Sequence, residues 1–442
     1  MIINNIAWIR SHSVKLCPKL KKQVLEWYRP TRSMPCLMHR GNLAFKRQWQ
    51  KIPVIVQLEE PEIVSLSASD LASSAGCRVK RRLPVINSFS TDVNEKSLKQ
   101  LLATKKVKKI WYDSEVKTLL QKASPTVAAP PLWETGLTGK GITVAVLDTG
   151  IHEHADLNGR IAAFKDFIGG RGEAYDDNGH GTHVAGCAAS GCRENGGYKG
   201  PAPEAELVGI KVLSKTGAGS LSTIIEAVQW CIEHKEQFGI RIMNLSLGSE
   251  AYQSYRDDPL CQAVEKAWNS GIVVCAAAGN SGPERGTISS PGIDPLIITV
   301  GASNDREAPE PAGNTVAHFS SRGPTIDGLL KPDVLAPGVE IVSLRAPGSL
   351  LDRTNKDARV GSGYFSLSGT SMATPVCAGV AAQLLQADSS LEPNQVKELL
   401  LESAVMIPGV ESSSQGSGIV NGYKAVEALD KKPAGTALNA PR

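Results

Sequence analysis

From residue 132 onward the apolar positions fall into short runs separated by stretches of helical period. Strand-like runs cover Thr143–Leu147, Leu207–Val212, Arg241–Leu247, Ile272–Ala277 and Leu296–Val300. Between two of them, Ser222–Glu236 sets Ile224, Ile225, Val228, Cys231 and Ile232 on one helical face. Short strands apolar on both sides of the pleat belong in a sheet covered on both faces. The alternation therefore predicts an α/β domain with a parallel sheet. Ahead of it, Ile52–Leu58 (IPVIVQL) reads as a strand and Pro61–Ala75 as a helix, followed by strand-like stretches around Cys77–Ile86 and Phe89–Val93. Asn94–Thr104 reads as a helix with Asn94 as N-cap and Leu98, Leu101 and Leu102 at helical spacing, and Val107–Tyr112 closes with a strand. The order βαββαβ predicts a small α+β, ferredoxin-like domain.

The punctuation sets boundaries. Ser124–Pro131 (SPTVAAPP) can continue neither a helix nor a central strand. The expected division is a basic extension at 1–50 with no element assigned, the small domain at 51–112, a linker at 113–131, the main domain at 132–430 and a disordered tail at 431–442.

Charge sharpens that division. The chain has 442 residues and a net charge of +4, but residues 1–112 hold 21 Lys+Arg against 7 Asp+Glu, a net of +14, and the remainder carries −10. Mutual attraction between the two pieces and plain solvation of both charge sets are both consistent with this. The basic segment carries no stacking module or recognition motif, so no nucleic-acid partner is expected. With no run of about 18 apolar residues, no membrane span is expected either. The N-terminus lacks a basic region ahead of its apolar patch and a small-residue cleavage site, which points to a cytoplasmic protein. Nine cysteines without CxxC pairs, several in apolar runs (Cys231, Cys275, Cys377), fit reduced core thiols.

Three segments carry chemistry. VAVLDTG puts Asp148 where an apolar strand ends, the edge at which open α/β sheets collect ligands, although Asp-Thr-Gly is also ordinary turn chemistry. DDNGHGTHVAG brings His180 and His183 close together before a helical run. His152-Glu-His154-Ala-Asp156 adds a metal reading, but Leu157 stands where the HxHxDH signature needs a further histidine. SLSGTSMATPVCAG sets Ser371 in a turn just before an apolar helix, where N–H groups favour negative charge. Ala373 excludes a GxSxG elbow.

Together AVLDTGI, GHGTHVAG and GTSMATP resemble the subtilisin-like serine proteases, the subtilases. The separations are 32 residues from Asp148 to His180 and 191 from His180 to Ser371. The resemblance runs from about Leu132 to Leu429 through VGIKVL, MNLSLG, AAAGN, FSSRGP and KPDVLAPG, and is nearest to bacterial intracellular alkaline proteases without a signal peptide. Val376-Cys377 departs from the His-Val common after the serine turn. The resemblance implies a doubly wound, mostly parallel sheet with helices on both faces, and a triad of Asp148, His180 and Ser371 that cleaves peptide bonds through an acyl-enzyme. It implies Asn280 as an oxyanion donor, Ser246-Leu247-Gly248 and Ala277-Ala278-Gly279 as pocket walls, and Gly217-Ala218-Gly219 as an edge for extended substrate. Small walls suit a large apolar side chain before the cut, and Glu284 is the nearby acid that would change this. The chemistry needs no cofactor. The resemblance leaves room for a structural calcium at Asp156, with the loop Arg193–Lys199 as partner. It also implies that residues 52–112 are a pro-domain acting as intramolecular inhibitor, cut off between about Tyr112 and Thr126. A catalytically silent peptide-binding protein on the same fold is the competing reading, and the intact set of four residues argues against it.

Overall fold

The computed structural model describes residues 7–28, 43, 46–59, 67–113, 115–118, 126–191, 198–305 and 314–431. They fall into two compact units. The first joins Met1–Glu115 to Ser220–Gln229 and Tyr252–Ala263, and the second holds Val116–Gly219, Trp230–Ala251 and Val264–Arg442. The tail at 432–442, residues 114 and 119–125 of the linker and residues 193–197 of the Arg193–Lys199 loop lie outside the described residues.

Four antiparallel strands carry the first unit: β1 (Ile52–Leu58), β2 (Arg81–Leu83), β3 (Ser88–Val93) and β4 (Val107–Tyr112), in the order β2-β3-β1-β4. Central β1 is apolar on both faces, and Val54, Ile55 and Val56 are fully buried. The helix α2 (Glu95–Ala103) starts where Asn94 Oδ1 accepts the Ser97 N–H at 3.0 Å, and it buries Leu98, Leu101 and Leu102. The basic N-terminal segment, which the pattern left unassigned, also forms structure. Pro18 opens α1 (Pro18–Glu26), and Leu16, Leu20, Val24 and Trp27 are all buried. Leu16 bridges to Ile110, with the Ile110 N–H donating to Lys15 O at 2.7 Å, so this segment covers the outer edge of β4. Within the same unit the Asp113 carboxylate caps the helix Leu221–Glu233, accepting the Ser222 N–H at 2.8 Å and its hydroxyl at 2.5 Å. Burial pushes the Asp113 carboxyl above the ordinary range against the pull of those donors.

From residue 115 the strands are β5 (Glu115–Thr118), β6 (Thr143–Asp148), β7 (Ile161–Asp166), β8 (Glu206–Lys211), β9 (Ala218–Ser220) and β10 (Ile240–Leu245). They continue with β11 (Leu247–Glu250), β12 (Val273–Ala277), β13 (Ser289–Ser290), β14 (Ile298–Asn304), β15 (Thr315–Val316) and β16 (Val334–Pro337). The main sheet runs β15-β14-β12-β10-β6-β8-β7 with β16 also on β14, and every pairing is parallel except β14 with β15. This is the mixed, mostly parallel α/β sheet that the alternation predicts. Strand β6, buried along its whole length, is central: the chain winds outward to β8 and β7 on one side and to β10, β12 and β14 on the other. Its carboxyl end lies at the point where the strand order reverses, where such sheets open a crevice. Two helices, α3 (His180–Ala189) and α4 (Thr370–Ala387), pack on each other and on this sheet. Among the described residues no helix is long and apolar enough to cross a membrane. None of the seven described cysteines is in a disulfide.

Candidate active site

Asp148 ends β6, and its carboxylate Oδ1 accepts from His180 Nδ1 and from the Thr149 N–H, both at 2.7 Å. Both side chains are fully buried. The carboxylate thus meets the Nδ1 side of the imidazole ring. Small residues permit this approach. A Cβ on Gly181 would stand 2.1 Å from Gly150 O and 3.1 Å from the Asp148 Cβ, so the first turn of α3 fits against the end of β6 only as glycine.

Ser371 lies in the first turn of α4, fully buried, with its hydroxyl donating to Ser246 O at 3.1 Å. The Ser246 hydroxyl in turn donates to Ser371 O at 2.6 Å and accepts from Asn244 Nδ2 at 2.9 Å. Ser246 thus fixes the serine turn from the junction of β10 and β11. Asn280 follows β12, and its Oδ1 accepts the Thr370 N–H and hydroxyl, each at 3.0 Å. That fixes the amide plane and directs its NH₂ group away from Thr370. The structure therefore joins Asp148 to His180, and Asn280 to the residue before Ser371.

The second histidine of the motif is different. His183 is fully buried, its Nε2 lying 3.1 Å from Ile341 O and 3.0 Å from Phe365 O. Burial, reinforced by His180, pushes its pKa down to about 3, so it is a neutral structural donor. His154, half of the metal reading, accepts the Asp156 N–H on Nδ1 at 3.1 Å and meets Gly363 O through Nε2 at 2.9 Å. Among the described residues no three His, Cys, Asp or Glu side chains are grouped to hold a metal ion.

The calcium expectation at Asp156 fits its surroundings poorly. The side chain is fully buried, and its Oδ2 already accepts hydroxyls from Ser190 at 3.0 Å and Tyr364 at 2.7 Å. Glu284 is exposed on the loop after Asn280. The proposed walls Leu247, Gly248, Ala277, Ala278 and Gly279 are buried and small or apolar. The expected substrate edge Gly217-Ala218-Gly219 enters β9 at Ala218, the expected wall Ser246-Leu247-Gly248 enters β11 at Leu247, and β5 lies between these strands in the order β13-β11-β5-β9. It runs antiparallel to β11 with Lys117 opposite Gly248 and Thr118 opposite Leu247.

Three supporting residues escaped the sequence reading. Asp176 accepts the Thr149 hydroxyl and the N–H groups of Asn178, Gly179 and Thr182. Lys211, buried at the end of β8, donates to Thr149 O at 2.6 Å and to Asp177 Oδ1 at 2.8 Å. Thr370 orients Asn280. Asp176 carries no ordinary helix-start signal, because it stands ahead of the Gly179 N-cap. Lys211 reads as an ordinary strand residue, because only sheet register puts it opposite Asp148.

A subtilase family model matches residues 139–427. Serine protease AprX of Bacillus subtilis (strain 168) is 45% identical over 433 residues, 95% of this chain and 98% of its own length. M-protease of Shouchella clausii (strain KSM-K16) is 34% identical over 386 residues, 87% of this chain and 90% of its own. Subtilisin Savinase of Lederbergia lenta is 39% identical over 299 residues, 68% of this chain and 96% of its own. The chain belongs to the subtilase family and is a subtilisin-like serine endopeptidase.

Proposed function

We propose that Asp148, His180 and Ser371 act as the catalytic triad, with the Ser371 hydroxyl as nucleophile. His180 Nε2 takes the hydroxyl proton as Oγ attacks the peptide carbonyl, then gives it to the leaving amine. A water activated by the same nitrogen then releases the acyl-enzyme. Asp148 holds the imidazole tautomer and stabilises the charged ring. The oxyanion is met by the Asn280 NH₂ and the Ser371 N–H at the helix start. The observation that carries this reading is the buried 2.7 Å carboxylate–imidazole bond at the end of the central strand. The fixed Asn280 amide beside the serine turn supports it.

The buried small walls support a preference for Phe, Leu, Tyr or Met before the cut. No metal or cofactor takes part in the proposed chemistry, and the proposed site of action is the cytoplasm. We also propose that residues 51–112 act as an intramolecular inhibitor in a zymogen. Support comes from the Asp113 cap on Ser222 and from β5 lying along Leu247–Gly248.

The test is casein hydrolysis by wild type and Ser371→Ala, with and without phenylmethylsulfonyl fluoride. Loss of activity in both the mutant and the inhibited wild type is expected. Undiminished activity in a folded Ser371→Ala protein would sink the triad.

A further inference from the structure

A hard cation such as calcium collects about six to eight oxygen ligands, largely carboxylates and backbone carbonyls. Around Asp156, among the described residues, three such carbonyls are already taken by a side chain. Arg160 Nη2 donates to Asp156 O and to Ala189 O, each at 2.7 Å, and Nη1 donates to Ala205 O at 2.7 Å. The three carbonyls belong to three separate segments: the turn before β7, the last residue of α3 and the residue before β8. Ala189 O is one of the carbonyls that a helix end leaves without an intrahelical partner, and a positive charge there also complements the helix dipole. Asp156 O further accepts the Gly191 N–H at 3.0 Å. That approach is tight, since a Cβ on Gly191 would stand 2.9 Å from Asp156 O. The carboxylate is engaged as well, since its Oδ2 accepts the hydroxyls of both Ser190 and Tyr364.

We propose that the Arg160 guanidinium takes the place of a structural cation at this locus, so that Asp156 binds no calcium. A planar fork suits this position, because it reaches three carbonyls at once and cannot lose its charge. The clamp ties the start of β7, the end of α3 and the entry to β8, and thereby braces the helix whose first residue is His180.

The test is thermal unfolding of the full chain carrying Ser371→Ala, to prevent self-digestion, in calcium chloride and in EDTA. The expected result is a calcium response that is the same with and without Asp156→Asn, together with a fall in Tm of about 5 °C or more for Arg160→Met. A Tm rise in calcium that disappears in Asp156→Asn overturns the proposal. So does an Arg160→Met protein with the parent's Tm. Should Arg160→Met fail to fold, Arg160→Lys keeps the charge but loses the fork, and a Tm below the parent's is expected. An Arg160→Lys protein as stable as the parent overturns the proposal equally.

Discussion

Four residues before His180, the Asp176 carboxylate accepts hydrogen bonds from the Thr149 hydroxyl, from the Asn178, Gly179 and Thr182 N–H groups and from the Thr182 hydroxyl, at 2.7 to 3.1 Å. Thr149 follows Asp148 in the chain, and its own hydroxyl oxygen accepts the Gly181 N–H at 2.9 Å. One side chain thus links the neighbour of the candidate acid to the residues flanking the candidate base. An amide there would turn an NH₂ group toward N–H donors. Asp176→Asn is therefore expected to lower kcat roughly ten- to hundred-fold, the size of losing a charge-assisted hydrogen bond, with KM little changed. Steady-state kinetics on a peptide substrate check this, and a loss confined to KM would mean that Asp176 acts on binding instead.

At the level of elements, β5 decides most. Its register places Lys117 opposite Gly248 and Thr118 opposite Leu247. The pairing thus stops one residue short of Ser246, whose carbonyl oxygen the Ser371 hydroxyl meets. Next in sequence after Thr118 comes Leu119, a residue of the class proposed to precede the cut. Self-processing is accordingly expected after Leu119, leaving Leu120 as the new N-terminus, in wild type but not in Ser371→Ala. Intact-mass and N-terminal analysis of the purified proteins check this, and a sole cut near Thr126 would show the register to be unproductive. Nothing in the residues Glu-Val-Lys-Thr announces this strand, because its partner β11 lies about 130 residues further on. Helix α1 is the opposite case. Leu16, Leu20, Val24 and Trp27 recur at helical spacing and were legible, but the lysines interleaved with them made the segment read as an irregular basic extension.

For the molecule as a whole, buried ionisable groups set the response to pH. Asp294 is fully buried; its Oδ1 accepts the Leu296 N–H at 2.8 Å, and its Oδ2 meets no donor among the described residues. Burial raises its pKa to about 7, with Glu265 adding to the rise and Lys331 opposing it. The folded value exceeds the unfolded one, so the contribution of Asp294 to stability is complete below about pH 4 and is lost as pH rises through about 7. Asp294→Asn in a Ser371→Ala background should flatten that fall, giving a Tm above the parent's at pH 8 and no such gain at pH 4. Thermal unfolding across that range checks it, and parallel curves would remove Asp294 from the account.

By itself, the sequence determined the class of fold and the family, because buried strands must be apolar and the close approach at the end of β6 admits only small neighbours. Those constraints act within a few residues and leave short motifs. What holds the second motif histidine, what orients Asn280, what lies along Leu247–Gly248 and which side chain reaches the carbonyls near Asp156 were decided only by the tertiary structure. Each depends on a hydrogen-bond partner distant in sequence, and such partners are chosen by packing and sheet register rather than by local pattern.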